Sequence, residues 1–137
     1  MKHYLLIFFS LLSFGCTSTP PKDNSDYKNI IGKTVKIHNL EIAQFDFPYK
    51  LNWQDAKNSC ESLGSGWRLP NYDEFDLIIR YNKKIENYTE GCYWTSDSFD
   101  KEERAQVREI YGTKNHDECL DYNWKHTKHW VRAVRNF

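Results

Sequence analysis

"GSGWRLPNYDEF", residues 64–75, decides how the chain is read. Gly64 and Gly66 let the backbone reverse, so that Trp67 and Leu69 can drop into a core. Pro70 keeps Leu69 out of helical geometry, and a helix arriving from upstream cannot run through it. Asn71 followed three residues later by Glu74 has capping-box spacing, and Phe75, Ile78 and Ile79 supply the buried face of a helix down to about Tyr81. Upstream, "LNWQDAKNSCESLG" (51–64) puts Ala56, Cys60 and Leu63 on one helical face, with Asn52 as cap, Asp55 as its reciprocal partner and Leu51 placed to staple onto Ala56. Gly64 is placed to end that helix in a left-handed conformation. The stretch is thus a corner between two helices with Trp67 as aromatic anchor. Arg68 reads as a structural residue, its stem along an aromatic ring and its head on a carboxylate such as Glu74 or on backbone carbonyls.

The apolar period changes on both sides of this corner. "KTVKIHNLEIAQFDF" (33–47) is rich in β-branched and aromatic residues and reads as one or two short strands. "CYWTSD" (92–97), "AQVREIYG" (105–112) and "HWVRAVR" (129–135) read as further strands. A strand region, two helices and then several strands, with no βαβ alternation and no repeat, make the fold class α+β.

The N-terminus has a different character. "MKHYLLIFFSLLSFGC" has Lys2, an apolar run from Tyr4 to Phe14 and a small Gly15, the layout of a secretory signal too short to remain as a spanning helix. Gly15 followed by Cys16 resembles the bacterial lipobox, which implies cleavage before a lipid-bearing Cys16. Ser13 and Gly15 also suit an ordinary signal peptidase, which would leave Cys16 a plain thiol. "TSTPPKDNSD" (17–26) has nothing apolar to bury and reads as a disordered spacer. The expected organisation is a signal peptide at 1–15, a lipid-anchored tether at 16–26 and one domain at 27–137, about 110 residues and enough for a single modest core. The chain of 137 residues has 19 basic and 19 acidic groups; losing Lys2 leaves 18 against 19, a net charge of −1. That balance argues against general nucleic-acid binding.

Motifs for catalysis are missing: the sequence has no G-x-S-x-G, no H-E-x-x-H and no phosphate-cradling glycine loop. Acidic runs such as "DKEER" read as solvated surface, and no enzyme activity or cofactor is expected. His116, Cys119, His126 and His129 are zinc-ligand types in an H-x2-C-x6-H-x2-H arrangement. Its central spacing is shorter than that of finger modules, so the histidines read as solvated surface groups and no metal site is expected. If Cys16 carries a lipid, Cys60, Cys92 and Cys119 remain, with three single bridges open to them. Cys60, on the apolar helix face, reads as a buried thiol. From Tyr122 to Phe137 the chain carries Lys125, Lys128, Arg132 and Arg135 with Trp124 and Trp130 interleaved and no acid. Basic groups beside aromatic rings suit an anionic glycan, which makes Trp124, Lys125 and Lys128 the candidate ligand surface. Arg132 and Arg135 read as structural partners of acids elsewhere.

Four elements in order bring a family into view. Trp53 with Ala56, "GWRLP" with Glu74 soon after, "YWTSD" around Trp94, and the terminal "VRAVR" resemble the Lcl C-terminal domain family of bacterial exported proteins, over about Val35 to Phe137. The family is similar in fold to C-type lectins and to the formylglycine-generating sulfatase-modifying domain, with two helices flanking an irregular antiparallel sheet. The resemblance makes Trp53, Trp67, Arg68, Leu69, Pro70, Glu74, Trp94, Arg132 and Arg135 a structural motif. It also implies a disulfide between Cys92 and Cys119, and it leaves Cys60 without a partner, since Ala133 stands where many members have cysteine. The reactive cysteine pair of the formylglycine-generating enzymes and the E-P-N, Q-P-D and W-N-D triplets of calcium lectins are absent. The resemblance therefore implies a non-catalytic binding or adhesion module of the bacterial cell envelope, membrane-anchored and facing the periplasm or the cell surface, whose partner is a glycan or an envelope protein. A purely structural or assembly role in the envelope is the alternative.

Overall fold

The computed structural model describes residues 28–101, 103–110 and 119–137. The stretches expected to be a signal sequence and a tether, with Cys16, and His116 lie outside the described residues. In chain order the elements are a helical turn α1 (Lys28–Ile31), β1 (Val35–Ile37), β2 (Leu40–Ile42), α2 (Trp53–Ser62), α3 (Tyr72–Arg80), a 3-10 turn (Asn82–Lys84), β3 (Gly91–Ser98), β4 (Arg104–Ile110), β5 (Tyr122–Trp124) and β6 (Val134–Asn136). Two three-stranded antiparallel sheets result, in the orders β1-β2-β6 and β3-β4-β5.

The corner is built as its residues dictate. Asn52 accepts the Asp55 backbone N–H at 2.9 Å, but Asp55 pairs with the Asn52 side-chain amide at 2.7 Å. At α3 the capping box is complete: Asn71 accepts from the Glu74 N–H and Glu74 accepts from the Asn71 N–H, both at 2.8 Å. Gly64 and Gly66 stand at φ +121° and +81°, a region costly to residues with a Cβ. Trp67 and Leu69 are buried in the reversal.

β3 is the spine of the core because both its faces are covered. Trp94 points to the α2 side, among Ala56, Cys60, Trp67, Leu69 and Val107. Tyr93, one residue earlier and so on the opposite face, lies with Phe75, Ile78, Ile85 and Ile110 on the α3 side. The Trp94 indole donates to the Leu51 carbonyl at 2.7 Å, which satisfies its polar edge inside the core.

Residues 129–135 do not form the continuous strand that their composition suggests; only Val134 and Arg135 join β6. His129 exchanges backbone hydrogen bonds with Leu51, Trp130 bonds to Cys92 and Trp94, and the Val131 and Ala133 carbonyls accept from Phe47 and Ala43. A segment that shares its donors and acceptors among several partners ties the sheets together and cannot be a strand of one ladder. The short β5 and the 3-10 turn were not expected from composition.

Candidate functional site

Of the candidate ligand surface Trp124, Lys125 and Lys128, the first two line one hollow and Lys128 lies outside it. Lys125 is committed: its ammonium donates to the Asp100 carbonyl at 3.2 Å and to the Lys101 carbonyl at 3.4 Å, and lies 4.6 Å from the centre of the Trp53 ring. Lys128 is exposed and lies outside the hollow of about 300 Å³ that Trp124 and Lys125 line with Glu103 and His126. Trp124 alone of the three belongs to a larger exposed group.

That group follows from strand register. Tyr93 stands opposite Arg108, Gln106 opposite Tyr122, and Arg104 opposite Trp124, so alternation places Arg108, Gln106, Arg104, Tyr122 and Trp124 on one face of the second sheet. α3 covers the Tyr93 and Ile110 end of this face and begins only at Tyr72. Past its N-terminus the face lies open. Phe99 stacks on Tyr122 with ring centres 4.1 Å apart, and the Arg104 guanidinium lies 4.7, 4.8 and 5.9 Å from the rings of Phe99, Tyr122 and Trp124. Phe99 is 49 % and Trp124 47 % exposed, unusual for rings that cost so much to leave in water. Asp100 holds Arg104 in place through a 2.7 Å ion pair, and hydrogen bonding from Arg104 draws the Asp100 carboxyl down to about 2. Between Phe99 and the N-terminus of α3 opens a hollow of about 460 Å³ lined by Asn71, Tyr72, Asp73, Asp97, Ser98 and Gln106. Composition pointed only to Trp124; Phe99 and Tyr122 become neighbours through the backbone hydrogen bonds of Phe99 and Asp100 to Arg104 and through the β4-β5 register.

On β5 the backbone groups of Trp124 have local partners. The Trp124 N–H donates to the side chain of Asn123, and the Trp124 carbonyl accepts from the N–H and the hydroxyl of Thr127.

The family-motif residues take structural places. Arg68 meets Glu74 in two parallel hydrogen bonds of 2.7 and 2.8 Å and also reaches the Leu69 carbonyl and Asn136. Burial would raise the Glu74 carboxyl, but the Arg68 and Asn71 hydrogen bonds outweigh it and hold Glu74 below the usual carboxylate value. Arg68 is not the arginine that lies on the corner's aromatic ring: Trp67 lies under Arg135, 4.8 Å from the ring centre and paired with Glu41 at 2.6 Å. Arg135 leaves β6 beside Trp67, whereas the Arg68 side chain is drawn to the capping box. The Trp53 indole donates to the Thr95 carbonyl at 2.8 Å and tethers α2 to β3. Leu69 and Pro70 are buried.

Arg132 is fully buried. It donates to Asp46 at 2.6 Å and to the carbonyls of Ala43, Gln44 and Asn87, and it lies 4.5 Å from the centre of the Tyr88 ring. The second Asp46 oxygen accepts from the Tyr93 hydroxyl at 2.6 Å and from the Thr89 N–H at 2.9 Å. Burial and the Asp46 charge push the Tyr93 hydroxyl well above its ordinary range, so it stays a donor. This node fixes the segment before β3.

Cys92 and Cys119 are joined in a disulfide with Cα atoms 5.4 Å apart, and Cys60 is a buried free thiol. Cys119 thus cannot serve as a metal ligand, and among the described residues no group of three or more His, Cys, Asp and Glu is placed to hold an ion. His126 is exposed and stacks on Trp124. His129, read as a surface group, is buried instead: its ring meets Trp94 edge-on at 4.5 Å, and burial, with Lys50 adding to it, lowers its pKa to about 4. The backbone exchange with Leu51 carries it inward.

No protein-family model matches the chain, and no curated protein matches it. Among solved structures it is similar to EMS16, an antagonist of the collagen receptor integrin α2β1, at 11 % identity and a TM-score of 0.50, over 76 % of this chain and 97 % of that one. The fold is C-type-lectin-like. At this identity the C-type-lectin-like likeness speaks for architecture alone, and what the open face does must be argued from its own residues.

Proposed function

We propose that the chain is a non-catalytic ligand-binding module of the bacterial cell envelope, of the Lcl C-terminal domain type, held to a membrane through a lipid on Cys16. The open face of the second sheet is its contact surface and a glycan its ligand. One observation carries the reading: three large rings, Phe99, Tyr122 and Trp124, stand exposed around one guanidinium on a short, braced β-structure. Exposed aromatic surface of this kind is costly without a partner, and the paired Arg104 stands against all three rings. The ion-paired side chains elsewhere serve the fold, which leaves this face free for recognition. Among the described residues no group of three or more His, Cys, Asp and Glu is placed to hold a metal ion.

The test is a glycan-array screen and a binding titration with the full chain and with the double variant Phe99→Ala, Trp124→Ala. The reading expects a defined set of glycans to bind and the double variant to lose them while its melting temperature stays within a few degrees, because both rings are half exposed. Absence of binding to any glycan would leave the envelope assembly role in its place.

A further inference from the structure

We infer that the hollow beside Phe99 takes an uncharged sugar ring, so that the glycan bound by this face is a neutral one and not the polyanion that the basic tail suggests. The inference rests on the reading of the open face as a glycan surface and adds the class of glycan and the seat of one residue.

The charges around the hollow decide its chemistry. Its lining carries two ionisable groups that are acids, Asp73 and Asp97, and no base. An anionic sugar entering there would meet like charge at short range. The guanidinium of Arg104 lies against Phe99 but is paired with Asp100, and that of Arg108 lies 4.4 Å from the centre of the Tyr72 ring while bonding to the Tyr72 hydroxyl and to Asp76, so each is matched by an acid and neither offsets Asp73 and Asp97. What suits such a seat is neutral, rich in hydroxyl groups and flat on one side.

The lining also matches those needs group by group. Phe99 offers an exposed ring for the C–H face of a pyranose. Asp73 is exposed, and Asp97 uses one carboxylate oxygen to accept from the Tyr72 N–H at 2.6 Å, which ties it to the start of α3. Carboxylates, the Gln106 amide and the Ser98 hydroxyl provide acceptors and donors for neighbouring ring hydroxyls. Tyr122 backs Phe99, and Trp124, next on the same face of β5, offers a second exposed ring, so a chain of two or three sugar units can reach from one ring to the other.

The experiment titrates the full chain, in EDTA, with neutral oligosaccharides (maltohexaose, cellohexaose and chitohexaose) beside heparin and polygalacturonate, at low and high sodium chloride. The inference expects a neutral oligosaccharide to bind without metal and with less than about a twofold change in affinity between the two salt levels. Asp73→Ala and Gln106→Ala should each weaken that binding about tenfold, the loss of one well-made hydrogen bond to a charged or amide group, with unchanged melting. Binding confined to heparin or polygalacturonate and collapsing with salt would overturn the inference and leave the aromatic face as the contact surface. Neutral binding lost in Trp124→Ala but untouched by Asp73→Ala and Gln106→Ala would remove the hollow in the same way. No binding to any of the five would overturn the inference and weigh against the wider reading.

Discussion

Replacing Arg132 with Met leaves the shape of the stem and removes the charge from the most buried ion pair among the described residues. Asp46 then keeps the Tyr93 hydroxyl and the Thr89 N–H as donors but loses its countercharge, and the carbonyls of Ala43, Gln44 and Asn87 lose theirs. Breaking a buried pair from one side costs about 3–5 kcal/mol because a desolvated charge is stranded. For a domain of about 110 residues with an unfolding entropy of about 2.1 cal/mol/K per residue, that is a fall in Tm of about 13–22 °C. Differential scanning calorimetry under oxidising conditions measures it. Adding Asp46→Asn to Arg132→Met should recover part of the loss, since a buried amide can still accept both remaining hydrogen bonds, and the double-mutant cycle should show coupling of about 2 kcal/mol or more. A Tm fall below about 5 °C in the single variant, or additive losses in the cycle, would refute the view that this node holds the segment before β3.

Three further outcomes follow from the same geometry. His129 is neutral in the fold down to about pH 4 but has an ordinary value of 6.5 when unfolded, so between these values the unfolded chain binds the extra proton and stability falls as pH falls. The contribution approaches about 3 kcal/mol by pH 4, and His129→Phe should flatten this part of a pH-dependent denaturation series; an unaltered slope would show that the ring is not buried. Cys119 lies three residues before Tyr122, and β5 has only three residues to hold it, so reduction, or Cys92→Ser with Cys119→Ser, should expose β5 to rapid amide exchange while α2 and α3 stay protected. Equal protection of β5 in both states would count against the disulfide as its anchor. Cys16→Ser should move the protein from the membrane fraction to the soluble one and abolish incorporation of a labelled fatty acid; unchanged partitioning would remove the lipid anchor.

Local chemistry carried most of the fold into the sequence. The corner at 64–75 is legible because caps, glycines and a proline act within a few residues of one another, and both helices follow from them. The α+β class follows from the changes of period. The last strand was over-read because the composition of residues 129–135 records burial, whereas ladder membership depends on which distant backbone groups arrive, here Leu51, Cys92, Phe47 and Ala43. The same limit applies to His129, whose burial is set by Leu51 and Trp94 across the core. At the site, Trp124 was visible as an aromatic residue in a polar setting, but Phe99, Tyr122 and Arg104 form one surface only through register. A sequence also does not show that Lys125 meets two carbonyls and the ring of Trp53.

The measurement closest to the central claim is the indole N–H region of a nitrogen-15 correlation spectrum, recorded while the full chain is titrated with the neutral oligosaccharides. Of the five tryptophans, Trp94 and Trp53 have their indole N–H groups bonded to the carbonyls of Leu51 and Thr95, Trp67 is buried under Arg135, and Trp124 stands half exposed on the open face. The account predicts that the Trp124 resonance shifts in proportion to occupancy while those of Trp53, Trp67 and Trp94 stay in place. Saturable glycan binding with the Trp124 resonance unmoved would contradict it.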